Sequence, residues 1–255
     1  MFFEEKGAKN RKIVVFLHGF PFDHTMWHET GRLLGDSRHL IFPDLRGFGQ
    51  TELPVSQVTT MPQFARDVSD LVNRIDRSSR IVVCGLSMGG YVAMHFARRF
   101  GDRLAGLVLC DTKAQPDTKA AAQNRRRRAD ALQETGLDVL ADAMLPNLFS
   151  PQTGNDVRKA VRQIILRQPV NGVAAADRGM AERPDATDWL PMFSIPTLVV
   201  CGEQDAISPV EEMTQMAERL PNACFVTLAN AGHLSPVESP ENFSLALNNF
   251  LDEIY

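Results

Sequence analysis

The chain has 255 residues, of which 44% are hydrophobic and 23% are charged. This length and composition are ordinary for one large globular domain and exclude a disordered chain. The net charge of −4 at neutral pH excludes the strongly basic surface of a nucleic-acid-binding protein, so no nucleic-acid partner is expected.

The sequence predicts no membrane-spanning helix and no secretion signal. A spanning helix needs roughly 20 consecutive apolar residues, whereas the longest apolar runs, such as residues 13–17, have the length of a strand. Residues 1–6 contain neither an apolar core nor a small-residue cleavage site. We therefore expect no membrane partner.

Four cysteines are scattered along the chain and form no C-x-x-C pair. Disulfide frameworks and zinc sites need denser and more regular spacing. Three of the cysteines end apolar, strand-like runs: Cys84, Cys110 and Cys201. We expect these three to be buried, reduced thiols in a cytoplasmic protein, and the sequence implies no metal and no other cofactor.

Short apolar runs, each followed by a turn and then by a helical pattern, recur along the chain. Strands are predicted at residues 12–17, 40–42, 80–85, 104–110, 197–201 and 224–228. Helices are predicted at residues 61–76, 88–100 and 210–220. Because continuous hydrophobicity is what strands buried on both faces require, the pattern predicts a mostly parallel, doubly wound α/β sheet.

One long interval interrupts this alternation. About 85 residues separate Cys110 from Thr197, whereas a crossover between parallel strands needs only about a dozen. The interval contains helical patterns at residues 119–134, 137–145 and 155–168. Since both of its ends join one sheet, we predict a helical cap of residues 112–188 inserted into an α/β core of residues 1–111 and 189–255.

The predicted cap is slightly basic, with 12 Lys and Arg against 10 Asp and Glu. Most of this excess comes from four consecutive arginines, Arg125 to Arg128. One interpretation is a solvated helix face. The other is a cationic rim that attracts an acidic substrate.

The clearest chemical motif is the segment 85–90, Gly-Leu-Ser-Met-Gly-Gly, between a predicted strand and a predicted helix. A serine on such a tight turn projects its hydroxyl above the end of the strand, and small neighbours let strand and helix approach closely. Ser87 is therefore the candidate nucleophile. The backbone N–H of Met88 is a candidate donor to the oxyanion that forms during attack on a carbonyl.

A serine nucleophile needs a base, and the base needs an acid that orients it. His233 follows the last predicted strand, where loops converge on the reactive edge of an α/β sheet. Asp205 follows the preceding strand, and the order Ser87, Asp205, His233 is that of a serine–acid–histidine triad. Asp111, which also ends a strand, is a rival acid, and Glu203 is a third candidate.

The segment 18–21, His-Gly-Phe-Pro, follows the first predicted strand. A glycine there lets the chain turn so that the backbone N–H of Phe20 can be the second oxyanion donor. His18 is expected to brace this loop by hydrogen bonds. Gly19 and Trp27 are candidates for contacting the substrate.

Two other features are interpreted as structural. Residues 44–51 form a glycine-punctuated loop that lacks the lysine of a phosphate-binding loop, and Asp44 and Arg46 are expected to be tied to backbone groups or to each other. His95 lies two turns into the helix after Ser87, so we expect it to point away from the site.

Five segments, taken in order, resemble the landmarks of the α/β-hydrolase superfamily: residues 18–21, 44–49, 85–90, 202–205 and 231–233. The segment 18–27 and the serine turn are similar to those of the 3-oxoadipate enol-lactonase group and related small carboxylesterases. The resemblance implies an α/β-hydrolase fold with a helical cap. It also implies an N-terminal hairpin, but only residues 1–7 precede the first clear strand, so we expect one N-terminal edge strand to be missing.

Carried over by position, the resemblance implies Ser87 as nucleophile, His233 as base and Asp205 as acid, with the amides of Phe20 and Met88 binding the oxyanion. The expected activity is hydrolysis of a small-molecule carboxylic ester or lactone through an acyl-enzyme. The same triad is compatible with carbon–carbon bond hydrolysis, acyl transfer or perhydrolysis. A non-catalytic ligand receptor is the remaining alternative. The sequence leaves the oligomeric state open.

Overall fold

The structure is a computed structural model that describes residues 1–52 and 56–255. Its strands are Phe3–Lys6 (β1), Ile13–Leu17 (β2), His39–Pro43 (β3), Ile81–Leu86 (β4), Leu104–Cys110 (β5), Thr197–Gly202 (β6) and Ala223–Leu228 (β7). They form one sheet in the order β1-β3-β2-β4-β5-β6-β7, in which only the β1–β3 pair is antiparallel. The predicted mostly parallel α/β sheet is confirmed.

Helices follow most of the strands. They are His28–Leu34 (α1), Met61–Ile75 (α2), Met88–Phe100 (α3), Lys119–Leu148 (α4), Asn155–Leu166 (α5), Val170–Met180 (α6), Val210–Arg219 (α7), Ser235–Glu238 (α8) and Pro240–Ile254 (α9). None of these helices in the described chain has the length and apolarity needed to cross a bilayer. The prolines at 54 and 62 also predict a loop over residues 54–62. This loop begins outside the described residues, and its described part ends at Thr60, the N-cap of α2.

The N-terminal edge of the sheet consists of the single strand β1, which pairs with β3. Its sequence, Phe-Glu-Glu-Lys, is mostly exposed and lacks the apolar run from which the other strands are predicted. Charged side chains are common on edge strands because they discourage pairing with another chain. The sequence analysis therefore did not predict this strand. In the described residues, this edge has one strand where the resemblance implies a hairpin, in line with the expected loss.

Side chains alternate between two apolar layers on opposite faces of the sheet. In β2, Val15 and Leu17 pack into the layer covered by α2 and α3, whereas Val14 and Phe16 pack into the layer covered by α1 and α9. This alternation follows from the period of two in a strand. Because both faces are buried, β2 to β6 read as continuous apolar runs, and their carboxyl ends meet at one edge of the sheet.

Residues between β5 and β6 contain helices α4, α5 and α6. Helix α4 is interrupted at Gly136, whose φ of +76° breaks the regular helix, and this break separates the two predicted segments 119–134 and 137–145. Helix α6 was not predicted. Most of its residues are small and buried, including Gly172, Ala175 and Ala176, so it has few of the polar residues at helical spacing that reveal a surface helix.

A buried carboxylate ties this helical region to the loop after β2. The side chain of Asp23 is 3% exposed. It accepts hydrogen bonds from Nε and Nη2 of Arg167, both at 2.8 Å, and from Nε2 of Gln168 at 2.8 Å. Burial opposes its charge, but these donors hold the pKa of Asp23 well below its ordinary value. The contact fixes the end of α5 against the α/β core.

Replacing Arg167 with glutamine is expected to lower the free energy of unfolding by about 2 kcal/mol, because Asp23 stays buried with fewer donors. The matched control is Lys159→Gln on α5, the helix that Arg167 follows. Lys159 is 78% exposed, and its partner among the described residues is the exposed Asp156, so its loss should cost less than about 0.5 kcal/mol. Urea denaturation measures both values, and equal stability of the two variants would contradict the prediction.

Candidate active site

Ser87 occupies the tight turn between β4 and α3. Its φ is +53°, a left-handed conformation that a side chain adopts at some energetic cost. The glycines on either side make the turn possible. A Cβ at Gly85 would lie 2.2 Å from the carbonyl oxygen of Gly89, and a Cβ at Gly89 would lie 2.2 Å from that of Leu17. The spacing Gly-x-Ser-x-Gly is therefore a steric requirement of this turn.

Three predicted residues from distant parts of the chain form one series of hydrogen bonds. Nε2 of His233 lies 2.9 Å from Oγ of Ser87, and Nδ1 lies 2.8 Å from Oδ2 of Asp205. Since a carboxylate can only accept, Nδ1 carries the proton and Nε2 is free to accept the serine proton. This is the tautomer that a general base needs.

The carboxylate of Asp205 is held in its charged form. Its other oxygen, Oδ1, accepts hydrogen bonds from the backbone N–H groups of Ile207 at 2.7 Å and Ser208 at 2.9 Å. Burial opposes the charge, but His233 and these amides lower the pKa of Asp205. The Ser208 hydroxyl lies 3.3 Å from Nδ1 of His233. The sequence analysis missed Ser208, although it lies only three residues beyond Asp205.

The rival acid Asp111 lies close to this series but has other partners. Its carboxyl group accepts hydrogen bonds from the backbone N–H of Gly202 at 2.7 Å and from Oγ of Ser235 at 2.5 Å. Burial, together with the negative charge of Asp205, raises the pKa of Asp111 well above its ordinary value. A raised pKa makes Asp111 a weaker partner for a positive imidazolium, and among the described hydrogen bonds it is Asp205 that contacts His233, so the geometry favours Asp205.

The third candidate acid, Glu203, is exposed, and its carboxylate accepts a hydrogen bond from the backbone N–H of Asn230 at 3.1 Å. Among the described hydrogen bonds it has none to His233.

A different glutamate, Glu238, supports the loop that carries His233. Glu238 accepts hydrogen bonds from the backbone N–H groups of Gly232 at 2.9 Å and Ser150 at 2.7 Å. It thereby joins the loop that carries His233 to the end of α4. The sequence analysis missed Glu238, because nothing in its local sequence marks a contact with residue 150.

The loop after β2 lies beside Ser87. His18 is fully buried; its Nδ1 donates to the carbonyl oxygen of Gly19 at 2.9 Å, and its Nε2 accepts from the backbone N–H of Leu45 at 3.0 Å. Burial lowers the pKa of His18, so the ring is neutral. These bonds agree with the bracing role predicted from the sequence.

The two predicted oxyanion donors have no competing acceptor. Among the described residues, neither the backbone N–H of Phe20 nor that of Met88 donates to a protein group. Met88 is the first residue of α3, where backbone N–H groups lack partners within the helix and carry a partial positive charge. Both amides are therefore available to a ligand.

Neither residue predicted to contact the substrate belongs to the cavity wall. Trp27 is fully buried, and its ring packs against Phe16 and Phe243 at centroid distances of 5.3 and 5.9 Å. It is a core residue on the sheet face covered by α1 and α9, so its predicted substrate contact is wrong. Gly19 is needed for shape, because a Cβ there would lie 2.7 Å from the Leu86 side chain.

A cavity of about 260 Å³ opens above Ser87, at the carboxyl ends of the strands. The α/β core contributes Phe20, Ser87, Tyr91, Ala206, Ile207 and His233 to its wall, and the region between β5 and β6 contributes Arg125, Arg128, Ala143, Met144, Asn147, Leu148 and Met180. The wall is mostly apolar, and its polar side chains include those of Ser87, His233, Arg125 and Arg128.

Asp44 and Arg46 are tied down separately rather than to each other. Asp44 accepts from the backbone and Nδ1 of His24, at 2.9 and 2.7 Å, and from the backbone N–H of Gln50 at 2.8 Å. Arg46 forms a two-fold ion pair with Asp67. The expected backbone contact is found for Asp44, whereas the partner of Arg46 is the side chain of Asp67 on α2, which the sequence analysis did not name.

In three places, the described residues bring possible metal ligands within 4.8 Å of one another. The groups are Glu4, His24 and His28; Asp23, His24 and Asp44; and Asp111, Cys201 and Asp205. In the first group Glu4 pairs with both His24 and His28, and in the second Asp44 pairs with His24 while Asp23 pairs with Arg167. The third lies behind the serine–histidine pair, where Asp205 is already bonded to His233.

His95 points away from the site, as expected. It is half-buried on α3, and its ring contacts Trp189 edge-on at a centroid distance of 4.8 Å. Burial lowers the pKa of His95 to about 4. The ring therefore remains neutral in the folded protein well below the pH at which an exposed histidine becomes charged.

This shift predicts a stability that depends on pH. Between about pH 6.5 and 4 the unfolded chain binds a proton at His95 and the folded protein does not, so the free energy of unfolding falls as the pH is lowered. His95→Gln should remove this contribution. Urea denaturation of both proteins at several pH values measures it. Parallel stability curves for the two proteins would contradict the prediction.

Comparison with known proteins gives consistent matches. The family model described as the alpha/beta hydrolase fold matches residues 12–240. A thermophilic esterase from Thermogutta terrifontis, solved with malate bound, is 46% identical and superposes with a TM-score of 0.96 over 99% of this chain and 93% of that one.

Two enol-lactonases are also similar. The 3-oxoadipate enol-lactonase 1 of Acinetobacter baylyi is 27% identical over 97% of this chain and 91% of that protein. The enol-lactonase structure from Burkholderia xenovorans LB400 is 26% identical, with a TM-score of 0.88 over 98% of this chain and 96% of that one. These likenesses extend over nearly the whole chain.

Proposed function

Because the chain belongs to the alpha/beta hydrolase fold family, we propose that it is a serine hydrolase that cleaves a small carboxylic ester or lactone. The observation that carries this proposal is the hydrogen-bonded series of Ser87, His233 and Asp205 at the base of a mostly apolar cavity. The similarity to an esterase and to enol-lactonases supports the same bond class.

The first half of the proposed reaction forms an acyl-enzyme. Oγ of Ser87 attacks the carbonyl carbon while its proton passes to Nε2 of His233, and the charge of Asp205 stabilises the imidazolium. The carbonyl oxygen becomes an oxyanion that the amides of Phe20 and Met88 bind. Each such donor contributes about 3–4 kcal/mol in known enzymes. The C–O bond to the leaving alcohol then breaks, and that oxygen takes the proton from Nε2.

The second half releases the acyl group. A water molecule gives a proton to Nε2 of His233 and attacks the acyl carbon, forming a second oxyanion at the same two amides. Collapse of this intermediate breaks the bond to Ser87, which recovers its proton, and frees the carboxylic acid. With a lactone, the leaving oxygen stays in the same molecule, and the product is a hydroxy acid; an enol lactone releases an enol, which becomes a keto acid by tautomerisation.

In this proposal, residues 112–188 form a cap over the α/β core. Seven of the cavity-lining residues come from this region, so it would close the cavity around a small substrate and limit its size.

The buried thiols of Cys84, Cys110 and Cys201 support the cytoplasmic location expected from the sequence, and Cys224 is the exposed cysteine of the four.

The direct test combines turnover with covalent labelling. Purified protein is assayed with 4-nitrophenyl acetate, 4-nitrophenyl butyrate and a panel of small lactones, and it is then incubated with a fluorophosphonate and digested. Hydrolysis of at least one substrate class and a label on the peptide containing Ser87 are expected. A label without hydrolysis of any ester or lactone would overturn the proposed bond class, and absence of both would overturn the hydrolase assignment.

A further inference from the structure

Two of the four consecutive arginines at the start of α4 line the cavity above Ser87. They are Arg125 and Arg128, which are three residues apart and therefore share one face of the helix. Their side chains are 21% and 36% exposed. Arg126 and Arg127 are on the outer side and are exposed. The sequence left two interpretations of the four arginines, a solvated helix face and a cationic rim. The solvated face describes Arg126 and Arg127 but not Arg125 and Arg128.

Buried carboxylates fix the position of both cavity arginines. Asp177, with a side chain that is 2% exposed, accepts from Nη1 of Arg125 at 3.1 Å. It also accepts from Nε and Nη2 of Arg128, both at 2.7 Å. Asp117 accepts from Nε of Arg125 at 2.6 Å. Although burial opposes its charge, these partners and Tyr91 raise the pKa of Arg125 above its ordinary value.

These contacts leave one nitrogen of each guanidinium group available. Among the described hydrogen bonds, Nη2 of Arg125 and Nη1 of Arg128 have no acceptor, and both side chains line the cavity. Tyr91 lines the same wall, and its hydroxyl likewise has no acceptor or donor in the described part of the protein. The wall therefore presents N–H donors already held in place by Asp177.

The charges around this wall do not balance. Three guanidinium groups meet two carboxylates: Arg125, Arg128 and Arg183 against Asp117 and Asp177. Arg183 pairs with Asp117 at 2.7 Å and stacks on the Tyr91 ring. The cluster therefore keeps an excess of one positive charge on partly buried side chains, where water screens it less than at an open surface. A ligand with one negative charge would neutralise it.

We propose that Arg125 and Arg128 bind a free carboxylate of the substrate, so that the preferred substrates are esters or lactones carrying one carboxylate in addition to the bond that is cleaved. This inference rests on the proposed function. A planar carboxylate matches the two N–H donors better than a neutral group does, and bonds of this type are strengthened by charge. The mostly apolar remainder of the wall suits the short chain between the two groups.

The experiment compares two esters with the same carbon chain, monomethyl glutarate and methyl pentanoate. They differ only in the terminal carboxylate. The wild-type protein is expected to hydrolyse the glutarate ester with the higher kcat/KM. Arg128→Gln should lower the ratio of the two kcat/KM values about tenfold or more. The loss is expected mainly in KM, because the carboxylate is bound equally in the ground state and the transition state.

Arg127→Gln is the matched control, since it removes the same charge from an exposed position on the same helix. It should leave both kcat/KM values within about twofold. Arg125→Lys is the second test, because it keeps the charge but loses the planar donor pair, and it too should lower the ratio. Thermal unfolding of each variant checks that the helix is intact.

The outcomes separate this inference from the proposed function. Hydrolysis of both esters with a ratio that Arg128→Gln and Arg125→Lys leave unchanged would overturn the carboxylate site and keep the hydrolase. An equal loss in Arg127→Gln would also overturn it, since the effect would then come from overall charge. Hydrolysis of neither ester, together with inertness toward the fluorophosphonate, would overturn the proposed function itself.

Discussion

Replacing Ser87 with alanine is expected to lower kcat for ester hydrolysis by about 10⁴-fold or more. The reason is that the oxygen 2.9 Å from Nε2 of His233 is lost, and no acyl-enzyme can then form. The free energy of unfolding should change by less than about 1 kcal/mol, because one partly exposed hydroxyl is removed. The measurement is the rate of 4-nitrophenyl butyrate hydrolysis by both proteins at equal concentration.

The matched control for this variant is Ser244→Ala on α9. The Ser244 hydroxyl is buried, and no hydrogen-bond partner is found for it in the described chain, so its removal should leave kcat unchanged. Fluorophosphonate labelling should disappear in Ser87→Ala and persist in Ser244→Ala. Turnover of Ser87→Ala within about tenfold of the wild type would contradict the role given to Ser87.

The parts of the site carried by short, continuous motifs could be predicted from the sequence. The turn at Ser87 requires glycine at 85 and 89 because backbone oxygens approach within 2.2 Å of where a Cβ would be. The strands β2 to β6 are buried on both faces, so their apolar runs are visible without the structure. The same reasoning places His233 and Asp205 at strand ends, where loops of a parallel sheet converge.

Other features depend on contacts between distant segments. Trp27 is close to the predicted oxyanion loop in sequence, yet its ring belongs to the core on the far side of the sheet. Helix α6 consists mostly of small buried residues, and strand β1 is mostly exposed, so neither contains the run of large apolar residues from which other elements are predicted. A periodic sequence pattern reveals an element that has one buried face and one exposed face. It does not reveal an element that is exposed on both faces or buried on all sides.

The arginine run shows the same limit at the level of single side chains. Four identical residues in a row offer no sequence signal that separates Arg125 and Arg128 from their neighbours. The difference comes from Asp177, 49 residues after Arg128, which bonds both of the cavity-facing arginines. The local sequence gives one sign of this contact: Asp177 lies among the small apolar residues of α6, and a buried carboxylate needs a partner of opposite charge.

The choice between Asp205 and Asp111 also required the structure, since both follow strands that end at the same edge. Replacing Asp205 with asparagine is expected to lower kcat for ester hydrolysis by about 10⁴-fold at neutral pH. The Asn amide would donate to Nδ1 of His233, which moves the ring proton to Nε2. The histidine could then no longer accept the proton of Ser87. Steady-state kinetics with 4-nitrophenyl butyrate measures the loss.

Asp111→Asn supplies the contrast. Burial and the charge of Asp205 raise the pKa of Asp111, and its hydrogen bonds go to Gly202 and Ser235. An amide of the same shape therefore leaves the bond between Asp205 and His233 in place, and kcat should stay within about tenfold of the wild-type value. A comparable loss in both variants would mean that Asp111 also acts on His233. A larger loss in Asp111→Asn than in Asp205→Asn would make Asp111 the acid. The two carboxyl groups offer oxygens within 4.8 Å of each other, but of these two described groups it is Asp205 that lies within hydrogen-bond distance of Nδ1 of His233, so the pair of variants tests whether that contact decides which acid serves the histidine.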